Sequence, residues 1–135
     1  MKKKRVLIVD DEMDMRIFIT TLLETSGYAP VATRDGEQGF DKAKEMVPDL
    51  IILDVMMPGE GGVQMYNNLK ADPVLKKVPI VMLSAIARKT FGHYLKMLEA
   101  RATVPLPKPE AYLEKPPDAN ELLKITTQLI GPGQI

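Results

Sequence analysis

Leu50-Ile-Ile-Leu-Asp-Val-Met-Met-Pro58 decides the reading of this chain: four apolar residues run without interruption into a carboxylate and then a turn. A strand covered on one face alternates apolar and polar residues. An uninterrupted run this short marks a strand covered on both faces, as in a parallel sheet packed between helices. Val6 to Val9 and Ile80 to Leu83 have the same form, each rich in β-branched residues and each bounded by polar or turn residues. Tyr28 to Thr33 reads as a weaker strand, whose Pro30 lacks a ladder donor and belongs at a sheet edge; Ala111 to Leu113 reads as a fifth, short strand.

Helical periods fill the gaps: Met15, Ile19, Leu22 and Leu23, closed by Gly27; Phe40, Ala43 and Val47, closed by Pro48; Val63, Tyr66 and Leu69; Phe91, Leu95 and Leu98; Leu122, Ile125 and Leu129. Such alternation predicts an α/β fold with right-handed crossovers, a doubly wound five-stranded parallel sheet flanked by five helices. Ligands then sit beyond the carboxyl ends of the central strands. Thr103-Val-Pro-Leu-Pro-Lys-Pro109 breaks the spacing, because proline at every second position forbids helix and favours an extended loop. It predicts a surface insertion around 103–110. The Gly-Pro-Gly near residue 132 is expected to fray.

The 135 residues, 45% hydrophobic and 27% charged, suit one domain spanning 1–135. Eighteen basic and eighteen acidic residues cancel, so no global field draws the chain to nucleic acid or an anionic membrane. No stretch reaches the roughly 18 apolar residues of a membrane span. The apolar run after Arg5 is too short for a secretion signal. With no cysteine, disulfides, thiolate nucleophiles and cysteine-ligated metals are excluded, and a cytoplasmic location is expected.

The chemistry lies at strand ends. Asp10 and Asp11 end the first apolar strand and Asp54 ends the third. In neighbouring strands about 5 Å apart, two such charges repel by roughly 3 kcal/mol at an effective dielectric near 20, which a bound cation relieves. All the ligands are hard oxygens, so Mg2+ is favoured, with manganese a fair substitute. A magnesium ion held by one or two carboxylates neutralises an incoming phosphate, which suggests phosphoryl transfer. Ser84, after the Ile80 to Leu83 run, can donate a hydroxyl hydrogen bond there, and Lys115, after the last strand, can supply positive charge.

Acid pair, acid, hydroxyl and lysine each follow a separate apolar run, as one convergent site requires. In Val6-Leu-Ile-Val-Asp-Asp-Glu12, Leu53-Asp-Val-Met-Met-Pro-Gly-Glu-Gly-Gly62, Pro79-Ile-Val-Met-Leu-Ser-Ala85 and Tyr112-Leu-Glu-Lys-Pro116 the chain closely resembles the response-regulator receiver domain of two-component signalling. The resemblance implies a flavodoxin-like strand order 2-1-3-4-5. It further implies that Asp54 is the phosphorylated residue, assisted by Ser84 and Lys115. It implies that Asp11, Asp54 and the Met56 carbonyl ligate Mg2+ while Asp10 helps through water, that Ser84 and Tyr112 form the switch, and that Lys115-Pro116 is cis. The implied donor is a sensor histidine kinase or phosphotransfer protein, and the output is contact with a downstream protein.

Met56 and Ile86 offer no polar side chain to orient an attacking water, so slow self-dephosphorylation is expected. The stretch between Ser84 and Lys115 departs from the family in length and in its prolines, which leaves the output face open. His93 reads as an inert exposed histidine. Two other functions compete: a receiver-like scaffold without phosphorylation, and a small magnesium-dependent phosphohydrolase. The hydrolase wants a second acid where Met56 stands.

Overall fold

The computed structural model describes residues 2–57, 61–87, 89–93, 96 and 107–134. Five strands, β1 Arg5–Val9, β2 Ala29–Thr33, β3 Leu50–Asp54, β4 Ile80–Ser84 and β5 Ala111–Glu114, form one sheet in the order β2-β1-β3-β4-β5. Every pairing is parallel. Helices α1 Met13–Thr25, α2 Gly36–Met46, α3 Gly62–Ala71 and α5 Ala119–Ile130 alternate with them, and residues 89–93 are helical and belong to α4. Pro30 lies on β2, which among the described residues pairs only with β1, so its missing donor costs no ladder bond there.

The central strands are apolar on both faces because each face meets helices. Leu7, Val9, Ile51, Leu53, Ile80 and Met82 pack with residues of α2 and α3. Val6, Ile8, Leu50, Ile52, Val81 and Leu83 pack with residues of α1 and α5. Two helices are started by local chemistry: Asp35 accepts from Gln38 N at 2.8 Å to begin α2, and Asp118 accepts from Glu121 N at 2.9 Å to begin α5.

Two expectations fail. Val47 is not the last core position of α2: it sits past the helix end in the left-handed region, φ 43°, and is 41% exposed. Pro48 disfavours helical geometry at the residue before it, so Met46 takes the core place instead. The Gly-Pro-Gly tail does not fray. Gln134 N donates to Gly27 O at 2.8 Å, and the Tyr28 hydroxyl donates to Gly131 O at 2.7 Å. Gly133 permits this packing, since a Cβ there would stand 3.0 Å from the Gly27 carbonyl carbon. Leu95, Leu98 and residues 103–106 of the proline stretch lie outside the described residues. Its end is held, with the Tyr66 hydroxyl of α3 donating to Pro107 O.

Candidate functional site

Register builds the site. Val9 pairs with Leu53, so Asp10 and Asp54 are the next residues of neighbouring strands. Asp54 in turn pairs with Leu83, one residue before Ser84, and Ser84 pairs with Glu114, one residue before Lys115. Four sequence segments are thus brought to one sheet end. Carboxylate oxygens of Asp10, Asp11, Glu12 and Asp54 all lie within 4.8 Å of one another. The start of α3 closes against the same end: a Cβ on Gly62 would stand 2.7 Å from Val55 Cα and closer still to the Asp54 carbonyl, so only glycine fits there.

Lys115 organises these acids. Its Nζ is 2.8 Å from Asp10 Oδ2, 2.7 Å from Glu12 Oε1 and 2.9 Å from Asp54 Oδ2. The Lys115-Pro116 bond is cis, as expected, and the Lys115 N–H donates to Ser84 O at 2.8 Å. Asp54 Oδ1 accepts from Met56 N at 3.1 Å, and Asp10 Oδ1 accepts from Glu12 N at 2.8 Å. Burial pushes the Asp54 carboxyl up to about 6; the Lys115 hydrogen bond opposes the shift, while the Asp10 charge adds to it. Burial also works against the Lys115 charge, but the close carboxylates of Asp10, Glu12 and Asp54 outweigh it and hold the ammonium above the ordinary lysine value.

The donor set fits a hard divalent cation. Asp10 Oδ2 is buried and faces the ammonium, yet it accepts no aligned hydrogen bond. Its acceptor capacity remains for a cation, and every other donor in the cluster is a carboxylate oxygen.

The predicted residues divide as follows. Asp10, Asp11, Asp54 and Lys115 meet in the cluster. Ser84 is fully buried beside it, its Oγ accepting from Ile86 N at 3.1 Å, a contact that leaves the hydroxyl proton to donate elsewhere. The Met56 side chain is exposed at the rim. Tyr112 lies farther along β5: its hydroxyl donates to Ile86 O and its ring stacks on Phe91, centroids 4.3 Å apart. His93 is exposed on α4. Sequence reasoning gave no role to Glu12, which pairs with Lys115, or to Arg16, whose guanidinium donates to Asp10 O at 2.8 Å. For Glu12 the available signal was a glutamate at a helix start where Ser, Thr or Asp is usual.

Among known proteins, the polar-differentiation response regulator DivK of Brucella anthropi is 30% identical over 131 residues, covering 97% of this chain and 98% of that protein. The phosphate regulon transcriptional regulatory protein PhoB of Escherichia coli is 38% identical over 82 residues, 61% of this chain. That match spans only 36% of PhoB, about a third of its length. The receiver domain of the sensor histidine kinase PA1611 from Pseudomonas aeruginosa, a crystal structure with a magnesium ion coordinated in its active-site cleft, superposes with a TM-score of 0.80 at 26% identity. It covers 96% of this chain and 98% of that one. Residues 6–127 match the response regulator receiver domain. The chain therefore belongs to the response regulator receiver domain family, the signalling module of two-component systems.

Proposed function

We propose that this chain is a phosphoacceptor switch, taking a phosphoryl group from a sensor histidine kinase or phosphotransfer protein onto Asp54 and thereby altering a surface read by a downstream protein. The supporting observation is the meeting of buried Asp10 and Asp54 on the Lys115 ammonium at the carboxyl end of neighbouring strands. An Asp54 oxygen forms the bond to phosphorus while the phosphorus–nitrogen bond of the donor breaks, its electron pair staying on the imidazole. The hydrogen bond from Met56 N to Oδ1 fixes the carboxylate plane for that approach. Lys115 offsets the added negative charge, and the Ser84 hydroxyl donates to a phosphoryl oxygen. Asp11, Asp54 and the Met56 carbonyl would hold Mg2+, with Asp10 assisting through water, and the ion would supply positive charge to offset that of the transferring group.

Movement of Ser84 and Lys115 toward the new oxygens biases Tyr112, which is tied to the Ile86 carbonyl two residues beyond Ser84. The receiver family is a signalling switch rather than an enzyme with an external product, and the chemistry here acts on the chain itself. Met56 and Ile86 present no polar side chain to a hydrolytic water, so the acylphosphate is long-lived; Met56→Asn is expected to shorten its half-life several-fold by autoradiographic decay. The proposed domain comprises residues 1–135, with the Pro-rich insertion around 103–110, and acts in the cytoplasm. No helix among the described residues is long and apolar enough to cross a membrane.

Intact mass after incubation with a small-molecule phosphodonor and Mg2+ tests this reading. The native chain gains one phosphoryl mass and Asp54→Asn gains none. No gain beside a reactive control receiver rejects the phosphoacceptor role.

A further inference from the structure

Lys115 carries three N–H donors, and three carboxylates surround it, those of Asp10, Glu12 and Asp54. A phosphoryl group on Asp54 takes one carboxylate oxygen into its bond to phosphorus and adds three acceptor oxygens, which compete for the ammonium with the partners it already has. The three partners are not equivalent. The side chain of Asp10 is 1% exposed, and a carboxylate left unpaired there is costly; Asp54, 3% exposed, carries the phosphoryl group and meets the ammonium through it. Glu12 is 59% exposed, water solvates its carboxylate on release, and such a pair contributes little to stability. Glu12 is the partner that gives way.

Its place in the fold points the same way. Glu12 is the N-cap residue of α1, yet its side chain makes no capping hydrogen bond. The carboxylate instead extends to a lysine 103 residues away in sequence. A residue poorly suited to capping thus stands at the cap and makes a long-range contact instead, a departure from local preference expected where function overrides it.

We infer that Glu12 is a positioning residue that occupies Lys115 in the unphosphorylated state, stands in for the phosphoryl oxygens, and competes with them for the ammonium. The inference rests on the phosphoacceptor role of Asp54. Glu12 does not touch the reacting atoms; it sets how readily Lys115 turns to them, and so where the switch is balanced.

The test is equilibrium titration of the full chain with beryllofluoride, a phosphoryl mimic, at saturating Mg2+, followed by 19F NMR. Glu12→Gln is expected to tighten binding about two- to five-fold, the size suited to a pair with one partner in water. Glu12→Asp keeps the charge, but its shorter carboxylate suits the vacant cap of α1 and not the reach to Lys115. It is therefore expected to tighten binding alongside the Gln variant. Tightening by Glu12→Gln with native behaviour of Glu12→Asp would mean that charge alone acts, and would overturn the inference. Unchanged or weaker binding by both variants would overturn it as well. A native chain that fails to bind beryllofluoride would instead reject the phosphoacceptor role beneath it.

Discussion

At the amino end of the sheet, Arg5 N donates to Asp49 Oδ2 at 2.8 Å, the Arg5 guanidinium donates to Val47 O at 3.3 Å, and Lys4 donates to the Ile130 carbonyl that ends α5. At the carboxyl end, Lys115 meets Asp10, Glu12 and Asp54. Both ends set Lys or Arg against acids and carbonyls, but the first set is exposed and the second is largely buried. Charges at the amino end tidy the ends of strands and helices in water, where each contributes little. At the carboxyl end two carboxylates are withdrawn from solvent and share one lysine, so the site is held at a cost to the fold. One end is replaceable; the other holds an excess of carboxylates that a cation would relieve.

The sharpest way to break this contrast is Lys115→Met. Two buried carboxylates lose their common partner, and unfolding in denaturant near pH 7.5 without metal should show a loss of about 3–5 kcal/mol. The loss should shrink on acidification as the carboxylates take up protons. A next effect comes from Gly62→Ala: with Val55 Cα 2.7 Å from the new Cβ, α3 must back away from β3, and a loss of about 3 kcal/mol is expected in the same assay.

Asp54→Asn reverses the sign. A carboxyl raised from 3.8 to about 6 in the folded protein lends stability below pH 4 and withdraws it as pH rises through 6. Removing it should therefore stabilise the metal-free protein by roughly 1–2 kcal/mol at pH 7.5, after allowance for the lost Lys115 contact, and by nothing near pH 4. Mg2+ should raise the melting temperature of the native chain more than that of this variant. The smallest change is expected at the other end: Asp49→Asn should shift stability by less than about 1 kcal/mol. A loss there as large as that of Lys115→Met would erase the contrast between the two ends.

Much of this was legible in the sequence because its causes are local. Leu50 to Leu53 and Ile80 to Leu83 have no polar face to offer water, so they had to lie inside a covered sheet. Once parallel register is given, the carboxylates that end two of these runs had to meet. What escaped depended on distant backbone. A valine rarely takes left-handed geometry, yet Val47 does so past the end of α2, and Met46 fills the core place. The tail looked loose by composition, but Gly133 is what lets it lie against the turn at Gly27. Glu12 was visible as part of a motif; its partner was not, because an exposed glutamate carries no pattern that names a lysine more than a hundred residues away.

That separation has a wider consequence. Asp10 closes the first strand and Lys115 follows the last, so the site exists only when the sheet has been completed from β1 through β3 and β4 to β5. A fragment that lacks β1 or the segment after β5 does not carry it. Anything that occupies the site binds the finished fold and not its pieces, and by mass action it draws the whole chain toward completion. Occupancy of the site and integrity of the domain thus become one equilibrium: a signal written at one end of the sheet is felt as cohesion in every strand.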